Sequence, residues 1–295
     1  MFATIALICV THWIYVRARA QPTVACFVLQ GDSREEFSKS EAIKNTWGGY
    51  CHRLEFIDRN TMGIDVTWNE GYPSLSMKSF RAWEYMFQKY VEIDAVSNPV
   101  DFVLKADTDT YILSDNLHKY LRRLDSKLPY YIGKQFVNQE GTPFVAGTAI
   151  VLSKASLTLF MLASRETGHG CASSTFTSEV AEDVALAKCL QSLGIYPHDT
   201  RDEDGAERFM VFNPNSLRLA SSPFPEWYTN FTFNDVQGPG CCSSEAIAFH
   251  MVSSDELLCQ VPVFDEGEWS WRDLQSMQID RRLRWKCRQQ RSGSS

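Results

Sequence analysis

Short apolar runs closed by glycine or polar turns alternate along the chain with stretches whose apolar residues recur at helical spacing. Val24-Ala25-Cys26-Phe27-Val28-Leu29 is unbroken and stops at Gly31-Asp32, the pattern of a strand covered on both faces. Ser38 to Trp47 predicts a helix stopped by Gly48-Gly49, and Arg53 to Ile57 predicts a second strand. Between Ser76 and Val91, Phe80, Trp83, Phe87 and Tyr90 fall on one helical stripe that must face a core. After a turn at Ser97-Asn98-Pro99, Phe102-Val103-Leu104 predicts a third strand running into Lys105-Ala106-Asp107-Thr108-Asp109-Thr110. Ser114 to Leu124 predicts an amphipathic helix with Ser114 as its N-cap. Tyr130 to Gly133 and Phe144 to Leu152 read as further strands, and Ser153 opens another helix. Glu182 to Leu193 is helical and ends at Gly194. The alternation predicts an α/β chain: a single Rossmann-like domain with a mainly parallel central sheet flanked by helices. Ligands of such sheets bind beyond the carboxyl ends of the strands, where Asp107 and Asp109 fall.

Composition narrows the reading. The 295 residues hold one large domain, and 44% apolar with 22% charged residues is the balance of an ordinary globular chain. A net charge of −7 excludes a general nucleic-acid binder, which needs surplus Lys and Arg against phosphate. Nine cysteines without a CxxC pair argue for disulfides over zinc. Setting Cys9 aside leaves eight, an even number that fits an oxidising compartment, as does the sequon Asn230-Phe231-Thr232. The adjacent Cys241 and Cys242 are expected to bond to two different partners.

The two ends differ from the middle. Phe2 to Val16 is apolar but shorter than the ~20 residues that span a bilayer comfortably, and Arg17 and Arg19 follow it. Ala18-Arg19-Ala20 also resembles a signal-cleavage site. Residues 1–20 are therefore expected to be a signal-anchor or a signal peptide, residues 22–265 the folded domain, and residues 266–295 a basic, solvated tail.

Three patches carry candidate chemistry. Asp107 and Asp109 form a hard oxygen-rich patch at a strand end, suited to Mg²⁺ or Mn²⁺ shared with a diphosphate. Glu182-Asp183 begins a helix, where the dipole favours carboxylates and where one of them could equally serve as a general base. His250 closes the apolar run Ala246-Ile247-Ala248-Phe249, a place where a satisfied core histidine is commoner than a ligand.

In their order these pieces resemble the inverting β1,3-glycosyltransferases related to fringe, and within them the core 1 β1,3-galactosyltransferase (T-synthase) group. The matching stretches are Ala42-Ile43-Lys44-Asn45-Thr46-Trp47, Phe102 through Tyr111, Val151-Leu152-Ser153-Lys154 and Glu182 through Cys189. The most specific is Gly238-Pro239-Gly240-Cys241-Cys242-Ser243 followed by Phe249-His250, with Arg201-Asp202 and Phe209 also alike. The resemblance implies a GT-A type fold, Mn²⁺ as cofactor, and UDP-galactose as donor. It implies that Asp109 and His250 ligate the metal beside Asp107, that Asp183 is the catalytic base, and that Lys78 faces the diphosphate. Trp227 would lie near an acceptor sugar, with core packing an equal reading for Trp227-Tyr228. The expected acceptor is GalNAc α-linked to Ser or Thr of a glycoprotein. The expected setting is the Golgi or ER membrane, single-pass type II with a luminal catalytic domain, and a second copy of the chain is a candidate partner.

Departures from that pattern are local. Thr108 stands where the family has the central Asp of Asp-Asp-Asp, leaving both outer carboxylates intact. Val145-Ala146-Gly147-Thr148-Ala149-Ile150 is bulkier than the family's glycine-rich strand, Met251 replaces an aromatic residue, and Met77 replaces a Trp. These changes bear on acceptor choice. The rival readings are a fringe-like enzyme with another acceptor, a non-catalytic chaperone related to T-synthase, and a secreted sugar-binding module. The retained Asp107 and Asp109 speak against the last two.

Overall fold

The computed structural model describes residues 21–58, 61, 72–93, 99–166, 170–178, 181–219, 223–232, 238, 240–277 and 281–293. Residues 1–20, with the expected anchor or signal, lie outside the described residues, as do Ser97 and Asn98. Among the described residues no helix is long and apolar enough to cross a membrane.

The strands in chain order are β1 (Val24–Leu29), β2 (Arg53–Ile57), β3 (Phe102–Asp107), β4 (Tyr111–Ile112), β5 (Tyr131–Ile132) and β6 (Gln135–Val137). They continue with β7 (Pro143–Val145), β8 (Ala149–Ser153), β9 (Pro197–His198), β10 (Ala248–Phe249), β11 (Gln260–Asp265) and β12 (Glu268–Asp273). The first helices are α1 (Arg34–Lys44), α2 (Tyr72–Phe87), α3 (Ser114–Leu121), α4 (Lys154–Ser164) and α5 (Ser173–Ser178). The rest are α6 (Glu182–Ser192), α7 (Pro214–Arg218), α8 (Glu226–Phe231), α9 (Ser254–Cys259) and α10 (Arg281–Gly293).

Six strands form the main sheet in the order β2-β1-β3-β8-β5-β9. β1 runs parallel to β2 and β3, β5 runs parallel to β9, and β8 alone is reversed, pairing antiparallel with both β3 and β5. The expected α/β architecture with a mainly parallel sheet flanked by helices is observed. Every residue of β1 and β8 is buried, which explains their unbroken apolar runs. The α2 stripe meets them: Phe27 and Trp83 stack edge to face at 4.7 Å, and Phe80 lies 6.0 Å from Phe160 of α4. Each fully buried aromatic side chain of this kind stabilises the fold by ~1.5–3 kcal/mol.

Several boundaries differ from expectation for visible reasons. α1 begins at Arg34, four residues before the apolar signal, because the Ser33 hydroxyl accepts the Glu36 N–H at 3.1 Å and caps a polar first turn. Ser114 is not an N-cap but the first residue of α3; the cap is Leu113, which makes no side-chain bond. The single strand expected over Phe144 to Leu152 is two strands, β7 and β8, with Ala146-Gly147-Thr148 between them. There the Gly147 peptide bonds to side chains instead of continuing a ladder. Ser153 caps α4 and Gly194 adopts φ +74° after α6, both as the sequence predicts.

Four disulfides join Cys26 to Cys51, Cys171 to Cys189, Cys259 to Cys287, and Cys241 to Cys242. The last corrects the expectation that the adjacent pair bonds to two partners. Among the described residues the other six cysteines pair among themselves, which leaves each of these two its neighbour. Gly238 at φ +78° and Gly240 at φ +90° turn the chain into this pair. The boundary drawn at 265/266 falls at the tip of the β11–β12 hairpin, where Asp265 faces Glu268. The basic stretch beyond it forms α10, tied to α9 through Cys259–Cys287 with Cys287 fully buried, so it does not trail from the domain.

Candidate metal and donor site

Strand periodicity builds the first half of the site. Lys105 and Asp107 are two residues apart in β3, so both side chains leave the same face of the sheet. Asp109 follows in a turn that Thr110 closes by donating its N–H to the Asp107 carbonyl at 3.1 Å. The second half arrives through the two-residue ladder of β10 on β4, in which Phe249 faces Tyr111. That register sets His250 beside the Asp109 turn, and the Val252 N–H donates to the Asp109 carbonyl at 3.0 Å. His250 Nε2 lies 2.9 Å from Asp109 Oδ1 and 3.6 Å from Asp107 Oδ2. Its Nδ1 lies 3.3 Å from the Val211 carbonyl, which orients the ring and directs Nε2 at the carboxylates. Met251 takes φ +56°, a left-handed turn held by Asn213 Nδ2, which donates to its carbonyl at 3.1 Å.

One atom each from Asp107, Asp109 and His250 lies within 4.8 Å of the others, a spacing that could hold a metal ion. Burial alone would lower the His250 pKa, but hydrogen bonds to Asp107 and Asp109 outweigh it and push it up to about 9.

Behind this cluster sits a buried cation that the sequence reading passed over. Lys105, fully shielded from solvent, donates to Asp107 Oδ1 at 2.7 Å, to Glu182 Oε1 and to the Gly147 carbonyl. Burial works against its charge, but the facing carboxylates of Asp107 and Glu182 hold its pKa above the ordinary value. Burial pushes the Asp107 pKa upward; Lys105 and His250 outweigh it and hold the pKa below the usual range. The signal was present: a lysine two places before an aspartate in a buried strand needs a carboxylate on its own face. Replacing Lys105 by Met leaves Glu182 buried without its partner. We expect a loss of about 3–5 kcal/mol, read by urea unfolding; an unchanged midpoint would mean that the ion pair is not formed.

The same Gly147 peptide reaches the third candidate. Its N–H donates to Asp183 Oδ2 at 3.0 Å, while Asp183 Oδ1 accepts from the Val184 N–H at 2.9 Å. Burial raises the Asp183 pKa and these backbone donors temper the rise. A Cβ on Gly147 would lie 2.9 Å from Glu182 Oε1, so any other residue would have to displace the carboxylate that holds Lys105. Asp183 and the Asp107 cluster are therefore joined through Lys105 and one peptide unit.

A cleft of about 510 Å³ opens over the cluster, lined by Asp107, Thr108, Asp109, His250, Lys78 and Glu36 among others. Lys78 is buried and donates to the Gln30 carbonyl at 2.6 Å at the end of β1. Trp227 does not line this cleft. It sits on α8 with 43% exposure, 5.9 Å from Phe212, whose neighbour Val211 faces His250. Tyr228 beside it is buried against Phe212, Phe224 and Phe136, as the packing reading required.

No family model matches the chain. Among solved structures, a glycosyltransferase involved in the glycosylation of the major capsid of PBCV-1 aligns over 50% of this chain and 68% of its own. Its identity is 12% and its TM-score 0.32, an overlap on which nothing further rests. Glycoprotein-N-acetylgalactosamine 3-beta-galactosyltransferase 1 of Xenopus laevis is 31% identical over 243 residues, 79% of this chain. The match spans 64% of that protein's length. Over most of its length, then, the chain is similar to a member of the core 1 β1,3-galactosyltransferases, the group that its motifs resemble.

Proposed function

We propose that the chain is a metal-dependent inverting glycosyltransferase that moves galactose from UDP-galactose, in β1,3 linkage, to GalNAc on Ser or Thr of glycoproteins. One observation carries this reading. The Asp107–Asp109–His250 cluster meets an open cleft beside Lys78 and is joined behind, through Lys105 and Gly147, to the Asp183 carboxylate. The likeness to a 3-beta-galactosyltransferase supports the choice of donor and acceptor.

Two carboxylates and one imidazole fit Mn²⁺, with Asp109 and His250 as direct ligands and Asp107 supporting them. Bound there, Mn²⁺ would supply positive charge to the diphosphate as it departs. Lys78 contributes a second positive charge from the side of β1. Asp183 accepts the proton of an acceptor hydroxyl while that oxygen forms its bond to the anomeric carbon. The bond from that carbon to the diphosphate oxygen breaks, and its electron pair leaves with UDP. Attack opposite the leaving group inverts the configuration. Burial makes the Asp183 carboxylate a stronger base, and the Gly147 and Val184 amides fix its orientation.

Trp227 is proposed to stack on the acceptor sugar, since its ring is half exposed where Tyr228 is buried. Trp227→Ala should raise KM for a GalNAc-peptide by roughly 2–10-fold and leave KM for UDP-galactose unchanged. Equal effects on both substrates would remove it from that role. The domain that begins near residue 22, with β12 and α10 tied into it through the β11–β12 hairpin and Cys259–Cys287, is proposed to be catalytic and to work in the lumen of the Golgi or ER behind an N-terminal anchor or signal. The four disulfides suit such an oxidising compartment.

The direct test is incubation of the purified protein with UDP-galactose, Mn²⁺ and a GalNAc-peptide, with NMR of the product. Galβ1,3GalNAc is expected. Transfer only to a different acceptor would redirect the reading to a fringe-like enzyme, and no consumption of any nucleotide-sugar would sink it.

A further inference from the structure

The chain leaves β1 for β2 on one side and returns to β3 on the other. The ends of β1 and β3 therefore flank the switch point of the sheet, where α/β folds bind ligands. The cleft lies there, with Leu29 and Gly31 on one wall and Asp107 and Thr108 on the other. Glu36, in the first turn of α1, enters it from the β1 side.

Local physics would give Glu36 a different partner. Ser33-Arg34-Glu35-Glu36 has the spacing of a capping box, in which the glutamate turns back to the N-cap amide. In α9 the same signature, Ser253 with Glu256, closes completely. In α1 only the Ser33 half forms. The Glu36 carboxylate turns instead into the cleft, where Oε2 accepts from Thr108 Oγ1 at 2.6 Å and from the Gly31 N–H at 3.4 Å. Thr108 is buried, so its hydroxyl is a fixed donor. An aspartate at 108, the residue of the related pattern, would set a second carboxylate against Glu36. Among the described residues both contacts to this carboxylate fall on Oε2, which leaves Oε1 as an acceptor toward the cleft.

We propose that Glu36, held by Thr108 and Gly31, accepts hydrogen bonds from the ribose hydroxyls of the nucleotide donor and makes the site select ribonucleotides. The proposal rests on the nucleotide-sugar reading above. A carboxylate repels phosphate and accepts from hydroxyls, and ribose offers two adjacent ones. Carboxylate-to-ribose bonding at a switch point is a recurring device of nucleotide-binding sheets. The transferred sugar is not the partner, because it must meet Asp183. Asp183 is held by Gly147 in the break just before β8, across β3 from β1 and Glu36.

Calorimetry with Mn²⁺, UDP and 2′,3′-dideoxy-UDP tests this. The unaltered protein should bind UDP about 10-fold or more tightly than the dideoxy analogue, the size of one hydrogen bond to a charged group. Glu36→Ala and the isosteric Thr108→Val, each checked for an unchanged thermal midpoint, should cut that ratio below about 3-fold. Equal binding of both nucleotides by the unaltered protein, or a ratio preserved in both variants, overturns the proposal. So does a Glu36→Ala protein that loses affinity for UDP-galactose but not for UDP, since the carboxylate would then read the transferred sugar. Absence of any Mn²⁺-dependent UDP binding by the unaltered protein overturns the donor reading itself.

Discussion

Asp183→Asn is expected to lower galactose transfer by ~10²–10⁴-fold, the usual worth of a positioned general base, while UDP binding stays as it was. The side chain keeps its shape, and its remaining oxygen still accepts from the Gly147 or Val184 amide that now orients the carboxylate. What is lost is the proton acceptor, together with one of these two amide bonds, because the new NH2 group cannot accept from a backbone N–H. The loss should fall on kcat, because the base acts on the acceptor hydroxyl in the transition state and not on the bound donor. Transfer at the wild-type rate would remove Asp183 from the role. A fall in UDP affinity matching the fall in rate would instead assign it to donor binding.

The second large effect concerns the metal. Asp109→Ala and His250→Ala should each weaken Mn²⁺-dependent UDP binding by more than the ~10–100-fold typical of outer-shell changes. Neither side chain holds up the fold. Backbone bonds fix the turn and the short ladder, with Thr110 donating to Asp107 and Val252 donating to Asp109. His250→Ala should therefore spare the thermal midpoint, in contrast to Lys105→Met, which strips a fully buried ion pair. Calorimetric titration of UDP with and without Mn²⁺ separates the cases. Unchanged affinity in both variants would place the metal elsewhere.

How far the sequence showed this in advance depends on which interaction fixed each part. Strands β1 and β3 were legible because burial on both faces leaves an unbroken apolar run. The α2 stripe was legible because Phe80, Trp83 and Phe87, with Tyr90 in the π-helical turn that follows, are all buried at helical spacing. Asp107 and Asp109 were visible as a pair, but nothing local could show that a two-residue ladder brings His250 to 2.9 Å from Asp109. That association came from the order of motifs along the chain. Lys105 and Glu36 were missed for opposite reasons. Lys105 hides inside an apolar strand, where its partners Glu182 and Gly147 are distant in sequence. Glu36 carries a sequence signal for a local cap, and tertiary contact with Thr108 overrides half of it. The break between β7 and β8 escaped for the same kind of reason: Gly147 spends its peptide on Asp183 and Lys105, which an apolar pattern cannot announce.

The Asp107, Asp109 and His250 cluster stands or falls on metal dependence of the chemistry. Transfer from UDP-galactose to a GalNAc-peptide should be measured after treatment with a chelator and again after Mn²⁺ is restored. The account predicts that transfer is abolished by the chelator and recovered by Mn²⁺ in the unaltered protein, with no recovery in His250→Ala at the same Mn²⁺ concentration. Full transfer in the presence of chelator would contradict it.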